Sequence, residues 1–140
     1  MPLGHLGVNV PDLSRAKDYH DRLMPLLDYV EFFSRPEEFS YQPADGKVGT
    51  FVFFYEAAEA GDYSRFRTGV QHLAFMVPTR ARVHEAHELA GSLGSEILHA
   101  PREFPEYHVG YYAAFWLDPF GMQLEVVCHR LTTEPVISPT

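Results

Sequence analysis

Gly4-His5-Leu6-Gly7-Val8-Asn9-Val10-Pro11 returns 67 positions later as Gln71-His72-Leu73-Ala74-Phe75-Met76-Val77-Pro78. Without a gap, the copies match at His5/His72, Leu6/Leu73, Val10/Val77, Pro11/Pro78, Arg15/Arg82 and His20/His87. Chance would give about one identity in such a window, so the match marks an internal repeat. The offset is close to half of the 140 residues, and the chain reads as one unit copied twice.

Each copy opens on an alternating strand. His5, Gly7 and Asn9 point one way and Leu6, Val8 and Val10 the other; His72, Ala74 and Met76 oppose Leu73, Phe75 and Val77. The apolar face is expected to pack on a helix. The other face holds a histidine beside a very small residue, which leaves space next to the imidazole.

A proline ends each strand, and a helix follows. The first helix is expected from Asp12 or Ser14, either of which can cap it, to Leu27, with Pro25 marking a break. The second is capped by Thr79 and stopped by Gly94. Three extended stretches come next in each copy, over 29–33, 39–41 and 48–55 and then 96–99, 110–117 and 122–127. Pro43-Ala44-Asp45-Gly46 and Asp118-Pro119-Phe120-Gly121 read as the turns. The fold class is α+β, a tandem of β-α-β-β-β modules over 1–58 and 69–130, forming a single domain of 1–130 with a polar tail at 131–140. Residues 57–68 read as a polar linker.

The composition sets limits. Hydrophobic residues make up 46% of the chain and charged ones 21%, ordinary for a globular protein with a core. The formal charge of -8 opposes binding to phosphate backbones and anionic lipid, so neither a nucleic acid nor a membrane is an expected partner. Met1-Pro2-Leu3-Gly4-His5 lacks a basic leader before an apolar stretch, so no signal peptide is expected and the location is read as cytoplasmic. A single cysteine, Cys128, excludes an intrachain disulfide and any multi-cysteine zinc site. It reads as a small buried residue.

The tandem modules, each opening on a histidine, together with Asp118-Pro119-Phe120-Gly121-Met122-Gln123-Leu124-Glu125, resemble the vicinal oxygen chelate superfamily. That group includes glyoxalase I, type I extradiol dioxygenases, and fosfomycin- and bleomycin-resistance proteins. The resemblance spans residues 4–129 and implies an open, cupped, eight-stranded mixed sheet with the helices outside. It also implies a divalent metal held by His5, His72 and Glu125. Two imidazoles and a carboxylate suit Fe, Mn, Ni or Zn and leave positions for two adjacent substrate oxygens. Such an ion polarises a carbonyl and stabilises a developing enolate or catecholate.

Two further family positions bear on the reaction. Glyoxalase I places a glutamate on the last strand of its first module; here the equivalent place falls near Phe54, with Glu56 two residues on, read as a solvated charge at the head of the acidic linker. Extradiol dioxygenases add a further histidine beside the His-His-Glu ligand set, matched by His108, and a tyrosine whose expected place is Phe115; Tyr111 and Tyr112 lie too early unless Gly121 shifts the register. The catalytic residues are therefore read as His108, a general base, and Glu125. A lyase- or isomerase-type glyoxalase-like enzyme is preferred to a ring-cleaving dioxygenase because of Phe115. The alternative is a metal-free small-molecule binding protein of the bleomycin-resistance type. The resemblance implies a homodimer. His20 and His87 read as surface or helix-packing residues, His84 and His99 as lacking ligand-spaced partners, and Cys128-His129 as poor geometry for a metal pair, since neighbours face opposite ways.

Overall fold

The computed structural model describes residues 3–129. The chain divides into two compact units, one ending at Tyr63 and the next beginning at Ser64. The expected tail lies outside the described residues.

In unit 1, Pro11 ends β1 (His5–Val10), and Asp12 caps α1 (Leu13–Leu23) by accepting the Arg15 N–H at 3.0 Å. Such a cap stabilises a helix by about 1 kcal/mol. The helix stops before the expected Leu27. Pro25 falls in a 3-10 turn, Met24–Leu27, that closes on Asp28 in the left-handed region. A proline lacks the N–H an α-helix would use there, which is why the break comes at that point. Strands β2 (Tyr29–Ser34), β3 (Glu38–Pro43) and β4 (Phe51–Glu56) follow, and the sheet order is β1-β4-β3-β2. β1 runs parallel to β4; the other pairs are antiparallel.

Unit 2 repeats this plan. β5 (His72–Met76) leads to α2 (Arg80–Ser92), whose Thr79 cap accepts the Arg82 N–H at 3.2 Å. Then come β6 (Ile97–Glu103), β7 (Tyr112–Leu117) and β8 (Gln123–Cys128), in the order β5-β8-β7-β6. The expected α+β tandem is present as two four-stranded mixed sheets, both open at their edges. Residues 57–71 connect them without helix or strand.

Each sheet buries one face under its helix. In unit 1 that face presents Val8, Val10, Phe39, Val52 and Phe54, and α1 contributes Ala16 and His20. The His20 ring lies 4.4 Å from the Phe54 ring, and Phe54 stacks on Phe39 at 4.9 Å. In unit 2, α2 packs on β6, β7 and β8, and the fully buried Trp116, Leu124 and Val126 lie with Val83 and Ala86 in its core.

The turn before β8 is held by Asp118. Its Oδ1 accepts the backbone N–H of Phe120 at 2.8 Å and of Met122 at 2.9 Å. Gly121 sits at φ 88°, a backbone conformation that favours glycine. It absorbs the turn without a bulge: β7 and β8 pair in unbroken register from Leu117–Gln123 to Tyr112–Cys128. The shift considered for Gly121 does not occur.

Candidate metal centre

Glu125 pairs with Ala74 across the parallel β5–β8 ladder and with Phe115 across β7–β8. Alternation places it on the sheet face opposite Leu124 and Val126, away from α2. There it is 2% exposed. A buried carboxylate needs partners for its oxygens, and it has two. Oε2 lies 3.2 Å from Nε2 of His72, and the Tyr111 phenol donates to Oε1 in a short hydrogen bond.

The outer atoms of this pair are also engaged. Nδ1 of His72 lies 2.9 Å from Oε1 of Gln71. When Nδ1–H donates to that amide oxygen, Nε2 keeps its lone pair. The lone pair then faces a carboxylate oxygen, an arrangement that calls for a proton or a metal cation between the two. Bonds of about 2.1 Å at a right angle place two donors about 3.0 Å apart, so the 3.2 Å separation fits one ion. An imidazole and a carboxylate suit a transition metal. The partners on Nδ1 and Oε1 are of the kind that orients metal ligands.

Tyr111 was not expected here. The family position directly opposite Glu125 is Phe115, which has no hydroxyl, and Tyr111 precedes it by four residues. Yet Tyr111 shares the face of Ala113 and Phe115, and Ala113 is too small to obstruct a ring lying along the strand. Four residues of strand span about 13 Å, a gap that the tyrosine and glutamate side chains close between them. A tyrosine followed at i+2 by alanine on the same face is the signal that marks this reach. Burial raises the Tyr111 phenol well above the usual tyrosine range, and its hydrogen bond to Glu125 adds to the effect. It therefore stays a donor at neutral pH.

His5 lies on β1, exposed, with its ring edge-on to Phe53 at 5.5 Å. The expected space beside it is filled. A Cβ on Gly7 would lie 3.2 Å from Cε2 of Tyr55, whose ring covers that glycine. Phe53 itself pairs with Gly7, as Glu125 pairs with Ala74, so Phe53 and not Phe54 is the first-module counterpart of Glu125. Glu56 pairs with Val10 at the exposed end of β4, one register step off the His5 face. Among the described residues no three or more His, Cys, Asp and Glu side chains are grouped as a metal cage. The His72–Glu125 pair is the part of the expected ligand set that unit 2 brings together.

His108 sits beside Tyr111, with the ring centres 5.1 Å apart, and its Nε2 lies 3.0 Å from Nδ1 of His129. His84 Nε2 lies 2.6 Å from the Tyr112 hydroxyl, and His99 packs edge-on to Phe104 and Phe115. His20 is buried against the sheet, as a helix-packing residue would be. Cys128 is buried with Sγ 3.7 Å from the Pro78 carbonyl.

No family model matches the chain. The uncharacterized protein YqjT of Bacillus subtilis (strain 168) is 25% identical over 126 residues, covering 88% of this chain and 95% of that protein. The crystal structure of a candidate glyoxalase from Bacillus halodurans is 27% identical and superposes with a TM-score of 0.74, over 90% of this chain and 94% of that one. The genomically encoded fosfomycin resistance protein FosX of Listeria monocytogenes has a TM-score of 0.66 at 18% identity, covering 94% of this chain and 95% of its own. The fold is that of the vicinal oxygen chelate superfamily. In this chain the second module carries a carboxylate with an imidazole beside it, and the first has an aromatic ring at the carboxylate's place. Among the described residues no helix is long and apolar enough to cross a membrane.

Proposed function

We propose that the protein is a metal-dependent enzyme acting on a small substrate that presents two adjacent oxygens. The observation behind this reading is the His72–Glu125 pair, its inner atoms 3.2 Å apart and its outer atoms already bound by Gln71 and Tyr111. His72 and Glu125 would hold the divalent ion, with His5 as the expected third ligand. When bound, the ion polarises the substrate oxygens and stabilises negative charge developing on them. Tyr111 keeps Oε1 of Glu125 occupied, so Oε2 is the oxygen that turns to the ion.

The proton acceptor is taken to be His108, because Phe53 leaves the first module without a carboxylate at the place that repeats Glu125. That absence counts against a glyoxalase I-type shuttle through two carboxylates. The expected argument against ring cleavage, the lack of a phenol at Phe115, loses its force now that Tyr111 reaches Glu125. The identity of the ion then separates the subtypes: Fe favours ring cleavage, and Ni, Zn or Mn a lyase or isomerase. A cytoplasmic homodimer belongs to the same proposal, and its size is read by sedimentation.

The test is equilibrium dialysis of tag-free protein against Mn, Fe, Ni and Zn, with elemental analysis. An ion bound by the wild type, lost in His72→Ala and Glu125→Gln and weakened in His5→Ala is the expected result. If His72→Ala binds as well as the wild type, the enzyme reading fails. A metal-free small-molecule binding protein then takes its place, a reading favoured by the ring-lined His5 face of unit 1, where Phe32, 46% exposed, meets Phe51 and Phe53 edge-on.

A further inference from the structure

We propose that His108 and His129 form a second, separate transition-metal site. Their facing nitrogens are 3.0 Å apart, both residues are exposed, and their rings lie within 21° of parallel. Both rings stand edge-on to Tyr111, each with its centre 5.1 Å away. The pair is thus braced from below by one aromatic ring.

A contact between two surface histidines is by itself only a hydrogen bond. The other ring nitrogen of His108 sets this one apart. Nδ1 lies 2.9 Å from the Val109 carbonyl, so Nδ1–H donates to that oxygen and the lone pair is left on Nε2. A backbone carbonyl on the distal nitrogen is the usual way a ligating imidazole is oriented and its tautomer fixed. In the metal-free pair the proton between the rings belongs to Nδ1 of His129. On metal binding that proton moves to Nε2 of His129, which frees the second lone pair with no net change in protonation.

The spacing is compatible with one shared ion. Two bonds of about 2.1 Å meeting at 90° place their donors about 3.0 Å apart, whereas a tetrahedral angle needs about 3.4 Å. The 3.0 Å separation of the hydrogen-bonded pair lies within a few tenths of an ångström of both values, and imidazole nitrogen suits Cu(II), Ni(II) and Zn(II). No third His, Cys, Asp or Glu completes a cage among the described residues, so water fills the remaining positions. A formal charge of -8 draws cations to the surface in general. An ion here occupies the lone pair that His108 uses as a base, so the metal-free pair is the form that accepts a proton and a bound ion blocks it.

The test compares tag-free wild type with His72→Ala, His108→Gln, His129→Gln and the combinations of His72→Ala with each of the other two. Ni(II) is titrated calorimetrically, and Cu(II) is followed by electron paramagnetic resonance. His72→Ala is expected to keep one equivalent with a two-nitrogen Cu(II) spectrum, and adding His108→Gln or His129→Gln to weaken it at least tenfold. Equal binding with and without His108→Gln overturns the proposal. The proposed function is judged separately, by wild type against His72→Ala. Both exposed positions take glutamine without loss of core packing, so their variants report on binding and not on folding.

Discussion

Phe53 and Glu125 hold the same place in their modules. Phe53 pairs with Gly7 on β1, Glu125 pairs with Ala74 on β5, and Gly7 and Ala74 are repeat partners. Each side chain meets the imidazole that opens its module: the Phe53 ring stands 5.5 Å from His5, and Glu125 Oε2 lies 3.2 Å from His72. One geometry thus serves two chemistries, an aromatic contact in unit 1 and an imidazole–carboxylate pair in unit 2. The duplication kept the backbone and the histidine while the neighbouring residue diverged.

Glu56 is consequently not a substitute for a first-module carboxylate. It sits on the other face of β4, opposite Val10, at an exposed strand end. Glu56→Gln is expected to leave divalent-metal affinity within twofold of wild type, while Glu125→Gln lowers it at least tenfold. Competition titration with a chromogenic chelator measures both. A large loss in Glu56→Gln would return that residue to the ligand set.

Tyr111 should matter through Glu125. Tyr111→Phe removes the donor to Oε1 and leaves a buried carboxylate oxygen without its partner, which costs about 1–3 kcal/mol of stability. Outer-shell partners of this kind also change metal affinity by roughly 10–100-fold. Urea unfolding and metal titration of the variant should show both effects. Unchanged affinity with reduced stability would confine Tyr111 to a structural role.

Local chemistry was legible in the sequence and side-chain reach was not. Asp12 and Thr79 cap their helices as their positions foretell, Pro25 breaks the first helix, and Asp118 with Gly121 makes the final turn. Each depends on residues within four positions of one another. β6 runs to Glu103, beyond the expected His99, because a register shift between His99 and Arg102 lets the strand pass Pro101, which cannot donate to a ladder. Tyr111 escaped notice for a related reason. A partner directly across the ladder follows from register alone, but a phenol that lies along the strand past Ala113 depends on the free space above a neighbour. The ring of Tyr55 over Gly7 is the same case, since small size foretells room and not its occupant.

The turn that delivers Glu125 is closed by two backbone hydrogen bonds, Asp118 N–H to Met122 O and Gly121 N–H to Asp118 O, and by one side-chain oxygen. Asp118 Oδ1 accepts two backbone N–H groups, and the one from Met122 is buried. Asp118→Ala strands both donors, at a cost of about 1–3 kcal/mol for the buried one. Asp118→Asn retains an oxygen acceptor and should recover most of that loss. Chemical denaturation of the two variants side by side distinguishes this hydrogen-bonding role from a role for the charge.

His20 makes the fold acid-sensitive. The residue is 3% exposed, and burial lowers its pKa from 6.5 to about 3, against a smaller opposing pull from Asp21. The folded protein therefore keeps this imidazole neutral at pH values where the unfolded chain already protonates it. Stability from this group is complete above about pH 6.5 and is lost as the pH falls toward 3, by up to about 1.4 kcal/mol per pH unit. His20→Phe removes the titrating group while keeping a ring against Phe54, so its stability should fall less steeply over that range. Urea midpoints at pH 7, 6 and 5 for both proteins give the comparison. Parallel slopes would mean that the acid sensitivity arises from other groups.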